Sequence, residues 1–406
     1  MLENREIMEK HLNDISTILS NEYINTLHIG ALEGISGFAI FQFHYARFLN
    51  SDKISNSGVD MISYCIEKLN NGYQDASYCR GIAGFCWAVQ YLVVNNFVEI
   101  DCDELLSPMD SYLYDVMKTN MDSLNYDFLY GSLGYAFYFF NRYNNTNDVT
   151  LKEKYKSYIT DFILFLEGSS IQNDSIIKWK SKMGVNREML GYNFGLAHGI
   201  PSLINFLSRL QSFNKFDLPI EKLLRKSVNY LTSYQNDDAI NNSFFPDLIY
   251  DNDSPIYRSR LAWCYGDLGV GLSLFKAGKS LNDSVMMDNA KSILLSTTKR
   301  KTKDETLVVD APICHGSFGI AKIYQSLEKE HGNLEFKKAS NFWVNDGLKK
   351  SITHDKLAIY KSWNPMSKEW ETKHSLLEGS SGIGLVMIEQ LNNSITDTWG
   401  ECLLIN

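Results

Sequence analysis

Residues 313–327 read Ile-Cys-His-Gly-Ser-Phe-Gly-Ile-Ala-Lys-Ile-Tyr-Gln-Ser-Leu. Two potential metal ligands come first, then two glycines spaced Gly-x-x-Gly, then apolar residues at Ile320, Ile323 and Leu327. The glycine pair recurs as GISG at 34–37, GIAG at 81–84, GSLG at 131–134, GDLG at 266–269 and GSSG at 379–382. A seventh copy, GIPS at 199–202, has Ser202 in place of the last glycine. Successive first glycines lie 47, 50, 68, 67, 50 and 63 residues apart. Self-similarity on that scale is the signature of a repeat architecture.

The apolar spacing behind each pair is helical. Gly199 is followed by Leu203, Phe206, Leu207 and Leu210, and Gly316 by Ile320, Ile323 and Leu327, an i, i+3/i+4, i+7 pattern. Pro201 falls in the first turn, where a missing N–H costs least. Small residues at the helix entry let backbones approach closely. The segments between motifs, such as 151–167 and 219–235, are long enough for a second, more polar helix. Each repeat is therefore expected to be a helix pair with the glycine-led helix inside. An open solenoid needs atypical capping repeats, yet the first and last repeats here carry the motif as well. The expectation is one closed all-α body spanning 1–406, in which the seventh repeat meets the first. Three stretches interrupt the helical pattern, 171–183, 237–262 and 356–370. They contain strand-like pieces, SIIKWK and LAIYKSW, and are expected to form turns or a small β insertion.

Bulk composition excludes several classes. A hydrophobic fraction of 44% supplies a large core, and 7 prolines argue against a linker-rich chain. The net charge of −9 disfavours nucleic acid, whose binders need a basic face. The basic run Lys299, Arg300, Lys301 and Lys303 reads as a solvated loop. The opening MLENREIMEKHLNDIS has no apolar core and does not read as a signal peptide, and no stretch is long enough to span a bilayer. Seven cysteines, an odd count without small-scaffold spacing, suit reduced thiols in a cytoplasm. Cys65, Cys79, Cys86, Cys102 and Cys402 read as core or surface thiols.

Chemistry-bearing side chains line up on the glycines. Asp127 lies four residues before Gly131, His198 one before Gly199, and Cys264 two before Gly266. Cys314 and His315 lie two and one before Gly316. In a ring, equivalent loops share one end of the barrel, so these side chains converge. Two thiolates and an imidazole suit zinc, with a fourth position left open. Taken singly, each has a plainer role: Cys264 as a core thiol, Cys314-His315 as an incidental pair, His198 as a loop histidine, Asp127 as a helix cap. The matched offsets weigh against those roles.

The motifs Trp-Cys-Tyr-Gly at 263–266 with a following Leu-Gly, Cys-His-Gly at 314–316 and Ala-His-Gly at 197–199 resemble the lanthionine synthetase C-like family. Its standalone lantibiotic cyclases are the nearest subgroup in length, and the resemblance runs from about residue 28 to 390. It implies an α/α toroid of seven inner and seven outer helices. It also implies Zn2+ held by Cys264, Cys314 and His315, an acid–base His198 with Asp127, and Arg260 four residues before the first zinc cysteine. Departures from the family pattern, Ser202 and the Asp-Leu-Gly after Gly266, touch no ligand.

The implied reaction is intramolecular Michael addition of a peptide cysteine to dehydroalanine or dehydrobutyrine. In it His198 transfers the proton, Asp127 orients His198 or takes the thiol proton, and Arg260 holds the enolate or anchors the Cys264 loop. Arg260 also reads as a structural ion pair, and Trp263 and Tyr265 read as packing. Implied partners are a dehydrated precursor peptide with its leader, a dehydratase and an ABC exporter. They would bring the protein to the inner face of the membrane. Competing readings are a glutathione-adding relative, a prenyltransferase-like thiol alkylator, which would pair one cysteine with an aspartate and a histidine, and a peptide-binding scaffold that needs no base. Glycosidase toroids need paired acids and have no use for thiolates.

Overall fold

The computed structural model describes residues 2–183, 189–236, 243–250, 254–392 and 398–406. Seven α-helices begin one residue after the first glycine of a motif, with Gly34, Gly81, Gly131, Gly199, Gly266, Gly316 and Gly379 as N-caps. They are α2 (Ile35–Leu49), α4 (Ile82–Val94), α6 (Ser132–Asn145), α8 (Ile200–Phe213), α10 (Asp267–Ser280), α13 (Ser317–His331) and α15 (Ser380–Leu391). They alternate along the chain with α1 (Leu2–Glu22), α3 (Asp52–Asn70), α5 (Cys102–Asp122), α7 (Val149–Ser169), α9 (Ile220–Thr232), α11 (Ser284–Thr297) and α14 (Leu334–Leu348). The remaining α-helix among the described residues, α12 (Lys303–Thr306), is a single turn, and short 3-10 helices cover Tyr23–Asn25 and Trp399–Leu403.

Burial separates the two sets. In α4 every residue from Ile82 to Leu92 is buried, as expected of a helix apolar all round. In α9 the buried residues are confined to one stripe, including Ile220, Leu223, Leu224, Ser227, Val228 and Leu231. Each fully buried Leu, Ile or Phe contributes about 1.5–3 kcal/mol, so the glycine-led helices carry most of the core.

The helix starts differ as well. Asp148, Asp283 and Asn333 cap α7, α11 and α14 with their side chains. The glycine-led helices have no side-chain cap; their loops fold back to close the N-terminus.

Two compact units can be distinguished by their internal packing: Met1–Met109 with Val309–Cys402 and Asn406, and Asp110–Val308 with Leu403–Ile405. In the first, α2 packs on α3, α4 and α15, and α13 packs on α14 and α15. The N–H of Leu377 donates to the carbonyl of Leu32 at 2.9 Å, so the seventh motif does lie against the first. In the second unit, α8 packs on α9 and α10, α10 on α11, and α6 on α7. The carbonyls of its C-terminal segment are received by side chains: Trp263 Nε1 donates to Leu403 at 2.7 Å and Asn205 Nδ2 to Leu404 at 2.9 Å.

Strands occur within the expected stretches and also beyond them, at 189–193 and 352–354. β1 (Ile171–Gln172) pairs antiparallel with β2 (Ile177–Lys178), the latter inside SIIKWK. β3 (Ser181–Met183), β4 (Met189–Asn193) and β5 (Leu248–Tyr250) form an antiparallel sheet in that order, with Tyr192 opposite Ile249. LAIYKSW supplies β7 (Leu357–Ile359), paired with β6 (Ile352–His354), and most of β8 (Lys361–Asn364), paired with β9 (Glu369–Thr372). Of the stretch 237–262, residues 237–242 and 251–253 lie outside the described residues.

One expectation is overturned. Arg300 does not belong to a solvated run: it is buried and pairs with Asp267 at 3.1 Å. It also donates to the carbonyls of Ser259 and Glu305. A guanidinium with its rigid fork of donors can satisfy several carbonyls at once, which suits it to burial where a lysine would not be. The cysteines form no disulfide, and among the described residues no helix is long and apolar enough to cross a membrane.

Candidate metal centre

Several of the glycine-motif loops, that of Asp127 and that of Cys314 and His315 among them, share one construction. The N–H after the first glycine reaches back seven residues: Ile82 to Asp75 at 2.8 Å, Ser132 to Asn125 at 2.9 Å, Ser317 to Asp310 at 3.2 Å. This closed turn leaves no room for a side chain at the first glycine. A Cβ on Gly199 would stand 2.2 Å from the carbonyl oxygen of Asn193. Gly266 is constrained twice, by φ +91° and by Arg260 O at 2.0 Å. Ser202, the exception at a last-glycine position, turns its hydroxyl to the Gly199 carbonyl at 2.6 Å. Residues one and two before the first glycine are thus held on a rigid turn beside a helix start.

Within the unit containing Asp110–Val308, the loops of His198 and Cys264 adjoin, because the N–H of Ala197 donates to the Cys264 carbonyl at 3.4 Å. Asp127 receives the N–H groups of Leu129 and Tyr130 on Oδ1, at 2.7 and 2.9 Å. Its Oδ2 lies 2.6 Å from Nδ1 of His198. Burial pushes the Asp127 carboxyl up, but the charge and hydrogen bond of His198 and the two N–H groups outweigh it and hold it below the carboxylate range. An ionised carboxylate only accepts, so Nδ1 of His198 carries the hydrogen and Nε2 is left for proton exchange. The ring of Tyr265 stands 6.3 Å from that of His198. Burial, followed by neighbouring charge, raises the Tyr265 hydroxyl and keeps it protonated, although a hydrogen bond from Asn193 acts the other way.

Arg260 bears on a different carboxyl. Its peptide N–H and its charge both act on Asp247. Asp247, passed over in the sequence, has its carboxyl pushed up to about 7 by burial and by the nearby Cys264 and Asp267, against the pull of Arg260. Only its place in an unremarkable Phe-Pro-Asp stretch was visible, so no motif signalled it. Trp263 is buried packing, as expected.

In the unit containing Val309–Cys402, the N–H of Cys314 donates to the carbonyl of Leu377 at 2.9 Å. His315 points Nε2 at the carboxylate of Asp310, 3.0 Å away. Cys264 stands in the unit containing Asp110–Val308, and Cys314 and His315 stand in the unit containing Val309–Cys402. Two thiols and an imidazole are a donor set zinc accepts, and three ligands leave one position open.

The family model for lanthionine synthetase C-like proteins matches residues 27–404. The nisin biosynthesis protein NisC of Lactococcus lactis subsp. lactis is 25% identical over 393 residues, covering 89% of this chain and 85% of that protein. A solved nisin cyclase superposes with a TM-score of 0.77 at 18% identity, covering 100% of this chain and 98% of the other. That likeness establishes the fold class as the all-α toroid expected.

Proposed function

The chain belongs to the lanthionine synthetase C-like family, and from that premise we propose that it is a zinc-dependent lanthionine cyclase. It would close thioether rings by adding cysteine thiols of a peptide to dehydroalanine or dehydrobutyrine in the same peptide. What carries this reading is the family match over residues 27–404, accompanied by the Asp127–His198 pair. We read the whole chain, 1–406, as one catalytic body.

Zinc held by these three residues would bind the substrate thiol, whose free pKa is about 8.5, as a thiolate at neutral pH. The chain's own residues handle the proton. One C–S bond forms, the C=C π bond is lost, and the hydrogen that leaves sulfur is matched by one gained at Cα, so no redox partner is needed. His198, fixed through Nδ1 by Asp127, exchanges that proton at Nε2. Arg260, beside Asp247, serves as anchor of the Cys264 loop. The peptide partner would arrive dehydrated and with its leader. A dehydratase and an exporter are the further partners this role calls for, with the protein working in the cytoplasm at the membrane's inner face.

The test is zinc content of wild type and Cys314→Ala, with mass-spectrometric thiol blocking on a dehydrated cysteine peptide. One equivalent of zinc in wild type, lost in the variant, with thiol consumption by wild type alone, supports the reading. Freshly purified wild type without zinc overturns it.

A further inference from the structure

The residue six before the first glycine behaves differently in the sixth motif. Asp75, Asn125 and Asn193 occupy that position in the second, third and fourth motifs, and each folds its side-chain oxygen onto the N–H two residues ahead. The partners are Ser77 at 2.8 Å, Asp127 at 3.4 Å and Gly195 at 2.7 Å. In the sixth motif the position is Asp310, and the residue two ahead is Pro312, which has no N–H to offer. The local turn cannot capture this carboxylate. It reaches instead to His315 Nε2 at 3.0 Å and accepts the N–H of Trp363, in β8, at 3.0 Å. The Asp310 side chain is fully buried, so both bonds are shielded from water.

We propose that Asp310 is the positioning residue of the metal centre, released for that task by Pro312. An ionised carboxylate accepts only, so His315 carries its hydrogen on Nε2 and presents Nδ1 as the ligand atom. Its ring plane is fixed by the same bond. Through Trp363, Asp310 also ties the β8–β9 hairpin to the ligand loop. A carboxylate behind a metal-binding histidine sets its tautomer and raises its basicity, and losing such a partner typically lowers metal affinity 10–100-fold. This inference rests on the zinc reading above.

The experiment is chelator competition for zinc on wild type and Asp310→Asn, with 15N shifts of the His315 ring in the metal-free protein. The amide keeps the size of the side chain and an oxygen for Trp363, while losing the charge that holds His315. Expected are a folded variant, a Kd for zinc raised 10-fold or more, and loss of the Nε2–H preference at His315. Pro312→Ala, which restores an N–H two residues after Asp310, is expected to shift the tautomer and the Kd in the same direction. Unchanged Kd and shifts in Asp310→Asn overturn the inference while leaving the zinc reading intact. Wild type that takes up no zinc defeats the zinc reading instead. If Asp310→Asn fails to fold, Pro312→Ala alone decides, and an unaltered Kd there overturns the inference.

Discussion

The carboxylate of Asp127 lies 2.6 Å from Nδ1 of His198, although the two are 71 residues apart and enter from consecutive glycine motifs. Asp127 is itself held by two backbone N–H groups, so the histidine inherits its orientation from a rigid turn.

Asp127→Asn is therefore expected to leave zinc content and fold intact and to lower kcat/KM for cyclisation by about 10²–10⁴, the range of a general acid–base group. Steady-state kinetics on a dehydrated peptide measures it. A variant within a factor of two of wild type would remove His198 from proton transfer.

The same pair predicts a pH dependence of stability. Asp127 is held below its ordinary 3.8. A carboxyl depressed by folding contributes fully above its unfolded value and loses that contribution as pH falls through the folded value. Urea unfolding should show the gap between wild type and Asp127→Asn level between about pH 6 and 5, above the ordinary carboxyl value. The gap should narrow below 3.8. Widening on acidification would contradict the assignment.

Gly266 should tolerate alanine worse than Gly332 does. Both have positive φ, +91° and +62°, but a Cβ at 266 meets the Arg260 carbonyl at 2.0 Å while at 332 nothing lies within 4 Å. Gly332→Ala is expected to cost about 1–2 kcal/mol from backbone strain alone. Gly266→Ala adds displacement of the loop and should cost more than about 3 kcal/mol, with zinc retention falling because Cys264 sits two residues before it. Equal costs in denaturant titrations would show that the close approach is readily relieved.

Arg300→Met should destabilise by about 3–5 kcal/mol, because it leaves the buried Asp267 carboxylate without its cation. Chemical denaturation measures this, and a loss below about 1 kcal/mol, the scale of a surface pair, would place Arg300 back in the solvated run suggested by its neighbours.

The repeat and the helix pairs were legible in the chain because they rest on local demands. A glycine is required where a loop closes on its own carbonyl, as Gly199 does on Asn193, and apolar spacing at 3.6 residues declares a helix whatever it later packs against. Offsets from those glycines are what single out Cys264, Cys314 and His315 in the chain.

What the sequence could not disclose depends on neighbours far along the chain. Arg300 looked solvated among lysines until Asp267 was seen beside it, and burial with a partner is a property of packing. Asp247 lacks any motif; burial and the charges around it set its carboxyl apart. Asp310 is the instructive case. Pro312 already showed locally that the usual turn bond was missing, but only the tertiary structure could decide where the released carboxylate went. A side chain's alternative partner, here His315 and the N–H of Trp363 at 53 residues' distance, is chosen by long-range packing rather than by the local chain.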